Sequence, residues 1–283
     1  MRWPALAAAR HAAIERVPFV LAGQTVGSVD RRHLSLLARL APGWSDDGKR
    51  VVMPDALATQ AARTAALAPL NLALHEAGLV RGWRNEHYAI VTRPGQTPLA
   101  LIERAAARFW GTLTFGAHAN GYVADAAGQP THLWIARRAL TKATDPGKLD
   151  NLVGGGVPHG QTPHETLIRE GFEEAGLSPA VVRGATPGRP IELMRDIEEG
   201  FMHEQVHTYD LRLPADLVPV NQDGEVAELR LLPIAEAVAL ASGDAMTVDA
   251  SLVTLDFALR HGLLARAEHA HLAQRIAPLI AGR

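Results

Sequence analysis

Residues 155–177 read GGVPHGQTPHETLIREGFEEAGL. Within them the run Arg169-Glu170-Gly171-Phe172-Glu173-Glu174 places three carboxylates in five residues. On a helix, residues three and four apart share a face, so Glu170, Glu173 and Glu174 crowd together. Like charges at this spacing destabilise a helix and require compensation. The compensating groups open to this sequence are Arg169, one turn before Glu173, and a bound hard cation. Magnesium takes oxygen ligands, uses few carboxylates and keeps water or substrate phosphates in its other positions.

The helix has legible ends. Thr162 is a suitable N-cap, Pro163 fits the first helical position, and Glu165 completes a capping box. Gly176 suits a left-handed C-terminal stop. Ahead of the helix, Gly154, Gly155 and Gly156 allow the backbone to approach a ligand closely and expose its amides and carbonyls. A glycine-rich turn beside an acidic helix is a coherent site for a metal-bound diphosphate.

The stretch resembles the signature of the Nudix hydrolases, G-x5-E-x7-R-E-U-x-E-E-x-G-U, where U is aliphatic. Gly155, Arg169, Glu170, Glu173, Glu174, Gly176 and Leu177 fall in register. Gln161 stands where the pattern has its first glutamate, and Gly171 where it has an aliphatic residue. The resemblance implies Mg2+ or Mn2+ held by Glu170 and Glu174, with help from Glu173 and a backbone carbonyl near Gly155. It makes Glu170 a candidate to accept the proton of the attacking water and Arg169 a member of the catalytic set. Gln161 keeps hydrogen-bonding capacity without charge. It reads as a tolerated replacement that leaves Arg169 to lean on Glu173 or Glu165.

A divalent ion neutralises phosphate charge and lowers the pKa of a bound water. Beside Gly154 and Gly156, Arg137, Arg138, Lys142 and Lys148 flank the glycine run as candidate phosphate ligands. Arg137 and Arg138 adjoin on a strand and point to opposite faces, so at most one looks into a given site. Glu225 and Glu204 are candidates for a further acid from a later loop, with Glu198 and Glu199 as rivals. His159, His164, His203 and His207 match no standard zinc spacing. Trp83, Trp110 and Trp134 are candidates to stack on a heteroaromatic ring, although strand aromatics mostly pack in cores.

The likeness extends to Ala136–Val153, Tyr209–Pro214, Pro219–Val226 and Asp256–Gly262. These runs resemble the thiamine pyrophosphokinase-related Nudix branch, which carries an extra N-terminal domain. That branch implies hydrolysis of thiamine diphosphate, or its oxo and oxy analogues, to the monophosphate.

The chain has 283 residues, no cysteine, 47% hydrophobic content and a formal charge of −2. This supports one large or two ordinary domains with a real core. It offers no disulfide framework or thiolate chemistry and no global attraction to nucleic acid or anionic membrane. No apolar run suggests a leader or a membrane span, so the expectation is a soluble, cytoplasmic protein.

The expected fold class is α/β (α+β): a Nudix fold, with a mixed sheet between helices, over 119–283, preceded by a smaller α+β domain over 1–118. In the first part, helix is expected for Trp3 to about Ile14, Pro54 to Ala77 (broken before Pro69) and Pro98 to Ala107. A hairpin turns at Gly23-Gln24, and Leu79 to Thr92 reads as extended. The partner is a small-molecule diphosphate, with a homodimer expected from the resemblance alone. Two rival readings stand: a non-catalytic diphosphate sensor or partner-binding module, and isoprenyl diphosphate isomerisation, which in its best-known form needs a cysteine absent here.

Overall fold

The computed structural model describes residues 2–46 and 48–282. After α1 (Ala5–Ala8), strands β1 (Arg16–Leu21) and β2 (Gln24–Asp30) form the expected hairpin, turning one residue earlier than the expected Gly23-Gln24. Its two turn residues, Ala22 and Gly23, both have positive φ (50° and 72°), as a tight twisted hairpin requires. The Asp30 carboxylate accepts from the Arg32 amide and starts the turn into α2 (Leu34–Leu40). Short strands β3 (Ser45–Asp46) and β4 (Val51–Val52) complete a four-stranded sheet. Then come α3 (Gln60–Glu76), the pair β5 (His87–Ile90) and β6 (Ala100–Glu103), and α4 (Ala107–Trp110). Phe19, Leu67, Leu74, Ile90, Ile102 and Trp110 centre the core of this module.

Four expectations change here. Pro69 lies inside α3 rather than ending a helix before it. Pro69 and Ala65, whose carbonyl loses its partner, are on the exposed side, while Leu67, Leu70 and Leu74 are buried and hold the helix in place. The extended stretch 79–92 narrows to β5, because Gly82 and Asn85 adopt positive φ. Within residues 98–107, Ala100–Glu103 are strand paired with β5, and helical turns begin only at Arg104. Helix at the start is a single turn. Beyond it the chain is extended along a later strand, where Ala9 and His11 carbonyls accept from the Met194 and Asp196 amides.

The second sheet is built from β7 (Leu113–Ala124), β8 (Pro130–Arg138), β9 (Leu149–Asp150), β10 (Val153–Gly156), β11 (Thr186–Pro187), β12 (Ile191–Ile197), β13 (Gly200–Arg212) and β14 (Val226–Pro233). β7 and β13 run parallel and the other pairs are antiparallel. Helices α5 (Pro163–Ala175) and α6 (Pro179–Val182) cover one face. Helices α7 (Ile234–Ala241), α8 (Val248–Arg260) and α9 (Arg266–Ile276) cover the other. This is the mixed sheet between helices expected from the sequence. Position 118 falls inside β7, and Trp3, Ala5, Leu6 and Ala9 pack with α8 and the C-terminal core.

One edge of β7 is shared. β10 pairs with residues 116–119 and β8 with 122–124, so the two partners diverge and open a fork in the sheet. Gly121 sits at this fork, where a Cβ would fall 2.1 Å from the Leu152 side chain. The quoted Asp256–Gly262 run is structural. Fully buried Asp256 accepts from Arg189 Nε (2.5 Å) and Arg260 Nε (2.6 Å), and Arg260 also grips Asp210. No helix among the described residues is long and apolar enough to cross a membrane.

Trp3 is completely buried. Trp3→Ala should cost about 3–5 kcal/mol of unfolding free energy, as for other buried aromatics. Denaturant unfolding checks this, and a loss below about 1 kcal/mol would place Trp3 outside the core.

Candidate active site

Helix α5 begins and ends as its sequence dictates. The Thr162 hydroxyl accepts from the Glu165 amide (3.2 Å), and the Glu165 carboxylate accepts from the Thr162 amide (2.8 Å). Gly176 closes the helix at φ 63°. Gly171, the departure from the aliphatic pattern, has a local cause: a Cβ there would lie 2.8 Å from Val182 Cγ2, so α6 packs directly on the helix backbone.

Capping fixes the rotation of α5 and aims its acids at β10. Glu170 and Glu174 are only 8% and 6% exposed, which excludes a solvated acidic face. Glu174 Oε2 accepts from the Gly154 amide (2.8 Å). The Glu170 carboxylate fills the space beside Gly155, where a Cβ would fall 2.2 Å from Oε1. Arg169 donates to Glu170 Oε1 and to Glu173 Oε2, both at 2.7 Å. Burial, reinforced by the charge of Glu170, pushes the Glu174 carboxyl well above the ordinary value near 4.5. Burial also raises Glu170, although Arg169 opposes it.

Strand alternation assigns the backbone groups. The Val157 amide turns to β7 and donates to Phe115 O (2.8 Å), whereas the Gly154 amide turns outward to Glu174. Gly155 therefore shares the inward direction of Val157, and Gly154 and Gly156 present their carbonyls on the open edge. The Gly155 carbonyl, expected beside an ion, turns to β7, and the Gly154 carbonyl is the one on the open edge. Gly155 serves by lacking a Cβ.

The donors fit a hard cation. Two buried carboxylates that resist ionising together, plus an open carbonyl, are all oxygen ligands of the kind magnesium and manganese use. Among the described residues no three His, Cys, Asp or Glu side chains converge as a complete cage. The remaining positions would fall to water and substrate phosphate, the usual arrangement for Mg2+.

A cavity of about 180 Å³ lies over this face, bounded by Glu170, Glu173, Gly154 and Gly155 and, opposite them, by Arg84, Arg104 and Lys142. A larger one of about 320 Å³ shares Gly154, Gly155, Lys142 and the two arginines and reaches the fork in the sheet. There, buried His118 donates from Nδ1 to Asn151 Oδ1 (3.1 Å), and Asp150 and Asp249 flank it at 3.8 Å each. Burial works to lower the proton affinity of His118, but Asp249 and Asp150 outweigh it and the net direction is up.

The other expected residues divide. Lys142 lines both cavities and pairs with Glu225, which also accepts from Arg84 (2.9 Å). Glu225 lines the smaller cavity. Glu204 lines the larger and is held by Arg108 (2.8 Å). Glu198 is exposed and paired with Arg81, while Glu199 lines the larger cavity. Arg137 is a correction: it bonds Gly147 O and Glu228, whereas Arg138, on the opposite face, lines the larger cavity and bonds Asp150 (2.8 Å). Gln161 accepts from Thr166 Oγ1 (3.0 Å), and Glu165 is spent on the cap, so Arg169 leans on Glu173.

His203 pairs with Glu192, His207 and His164 lie by Phe115 and Tyr209, and the His159 amide bonds His87 O. Of the tryptophans, Trp83 lines the larger cavity, and Trp110 and Trp134 are buried. Sequence reading missed Tyr88, Arg84, Arg104, His118 and Asp249. Asp150 and Asn151 stood in a quoted run but carried no role. Spacing could not join Asp249 to residue 118, since only the fold brings them together.

A carboxyl with a raised folded pKa favours the folded state fully below about 4.5 and loses that contribution as pH rises through the raised value. Metal-free parent protein should therefore lose stability above about pH 4.5. Glu174→Gln should lose less over the same window, and added Mg2+ should raise the melting temperature of the parent only. Thermal melts across pH check both, and equal Mg2+ stabilisation of the two proteins would contradict the assignment.

Against this geometry stand the likenesses to other chains. Residues 5–114 match the model of the Domain of unknown function (DUF4743), and residues 114–251 match that of the NUDIX domain. The chain is 38% identical over 253 residues to Nudix hydrolase 24, chloroplastic, of Arabidopsis thaliana, covering 88% of this chain and 69% of that protein. It is 35% identical over 260 residues to Nudix hydrolase 20, chloroplastic, of the same plant, with the same coverage. An uncharacterized protein of Saccharomyces cerevisiae is 32% identical over 197 residues, which cover 65% of this chain and 57% of that one. A likeness that spans the acidic helix, the glycine strip and most of the module ahead of them makes this chain a member of the Nudix hydrolase family, with a DUF4743 domain preceding its NUDIX domain.

Proposed function

We propose that this Nudix hydrolase cleaves thiamine diphosphate, or an oxo or oxy analogue of it, to the monophosphate and phosphate. Family membership gives hydrolysis of a diphosphate-linked substrate. The thiamine half rests on the resemblance of residues 136–153 and 209–226 to the thiamine pyrophosphokinase-related branch. The observation that carries the reading is the burial of Glu170 and Glu174 against the glycine strip, whose Gly154 and Gly155 line both the smaller cavity, with Glu170, and the larger one of about 320 Å³.

Glu170, Glu174 and the Gly154 carbonyl would hold a divalent ion, Mg2+ or Mn2+. Bound there, the ion would neutralise phosphate charge and acidify a water. Arg169 occupies one lone pair of Glu170 Oε1, and the carboxylate positions it leaves would meet the ion and take the proton of the attacking water. It also keeps Glu173 in place beside the ion, which orders the acidic face before substrate arrives. Lys142, drawn to the rim by Glu225, is placed to meet phosphate oxygens. The organic half would extend along the larger cavity, past Trp83 at the wall and toward the Asp150–His118–Asp249 group at the fork.

The chain's division at about residue 118 is part of the proposal: the first module supports the site, and the second carries the acids. A sensor would bind substrate without turning it over.

Purified protein with Mg2+ and a panel of organic diphosphates should release phosphate and thiamine monophosphate from thiamine diphosphate or an oxidised analogue faster than from nucleoside diphosphate substrates. Glu170→Gln should lower kcat by about 10²–10⁴-fold, the range for a lost general base, while the protein stays folded. Unchanged turnover in Glu170→Gln rejects its role. Preference for another diphosphate rejects the thiamine half.

A further inference from the structure

The glycine strip touches the domain that precedes it. A Cβ on Gly156 would fall 1.8 Å from Tyr88 Oη and 3.5 Å from Arg104 Nη2. The backbone repeats the link, since the His159 amide donates to His87 O (2.7 Å). Tyr88 is on β5, and Arg104 is in the turn after β6, so both belong to the module of unknown role.

Arg104 is fixed at one end and open at the other. Nη1 donates to Glu86 Oε2 (2.8 Å), and the guanidinium carbon lies 5.7 Å from the centre of the Tyr88 ring. Nη2 is directed toward Gly156. Burial holds the Tyr88 phenol up at about 12, so it stays a donor at neutral pH. Arg84, from the loop before β5, reaches the same rim through Glu225. Arg108, on α4, spends Nη2 on Glu204, while its buried Nη1 has no partner among the described residues. It lines the larger cavity.

The smaller cavity is lined from both domains, and each brings both signs: Arg169 sits among the acids of α5, and Glu86, bonded by Arg104, sits among the arginines of the first domain. Glu170 and Glu173 come from α5, and Arg84 and Arg104 face them from the N-terminal domain. A metal-bound diphosphate would suit this lining, with Glu170 and Glu173 toward the ion and Arg84 and Arg104 toward the phosphate oxygens.

We propose that the N-terminal domain is half of the active site, with Arg104 and Arg84 clamping the substrate's diphosphate against the metal-bearing helix and Tyr88 setting Arg104 over the glycine strip. This rests on the diphosphate-hydrolase reading above and adds a role for the preceding domain. Arg104 and Arg84 are binding residues, and Tyr88 is a positioning residue. Arg108 Nη1 is a spare donor for the organic half.

Titration calorimetry of the full chain with methylenediphosphonate in the presence of Mg2+ tests the clamp, together with steady-state kinetics on the best substrate. Arg104→Ala should weaken methylenediphosphonate binding by about tenfold to a hundredfold, the range for one lost charge-assisted bond, and raise KM in parallel. Arg104→Lys should recover part of the loss, because it keeps the charge without the fork. Arg84→Ala, at a more exposed position and less able to disturb folding, should weaken binding by about tenfold. Tyr88→Phe should lower kcat/KM while leaving Mg2+ affinity unchanged. Arg266→Ala, remote and exposed, should match the parent.

Parent-like binding and KM in both Arg104→Ala and Arg84→Ala would overturn the clamp while leaving the hydrolase reading intact. A parent protein that neither binds methylenediphosphonate nor turns over any diphosphate would overturn both.

Discussion

Two carboxylates one helical turn apart, both withdrawn from water, cannot remain charged without a positive partner. Glu170 and Glu174 occupy that position, and most of the structure around them serves to hold them there. The capping box and the left-handed stop at Gly176 set the length of α5, and Gly171 lets α6 lock its back. Missing side chains at Gly154–Gly156 let the helix and two other side chains press onto one short strand. His118 occupies the space beside Gly154, Glu170 that beside Gly155, and Tyr88 that beside Gly156. Each glycine is therefore a contact as well as a flexible link.

Arg169 resolves the repulsion only in part. It satisfies one oxygen of Glu170 and one of Glu173 and does not reach Glu174, whose bonding partner is the Gly154 amide. A site left short of positive charge on its buried side and facing arginines across a cavity is polarised in advance for an ion bound to an anion. This preorganisation places donors where charge will collect and spares reorganisation during reaction. The fork between β8 and β10 adds depth behind the strip, and the His118 group closes that end.

The parts of this arrangement governed by local chemistry were legible in the sequence. Thr162, Pro163, Glu165 and Gly176 marked both ends of α5. Alternation limited Arg137 and Arg138 to one inward residue without saying which. The cross-strand partner Glu228 and the β9 contact through Asp150 decide for Arg138. Elements set by tertiary pairing were less legible. Residues 98–107 have a helical composition, yet β5 recruits four of them as a strand. The helix at Trp3 stops early because β12 uses the following carbonyls. Burial of three leucines outweighs the backbone penalty at Pro69. The Arg84–Arg104 wall and the His118–Asp249 contact join residues far apart in the chain, and no spacing rule encodes them.

The chemistry of this face depends on where a divalent ion sits. Crystals grown with Mn2+ and measured at an energy that reveals manganese by anomalous scattering locate it without reference to any substrate. The structure predicts a peak bonded at about 2.1 Å to carboxylate oxygens of Glu170 and Glu174 and to the Gly154 carbonyl, on the side of the strip facing Arg104. A peak elsewhere, with Glu174 still bonded only to the Gly154 amide at saturating manganese, would contradict it.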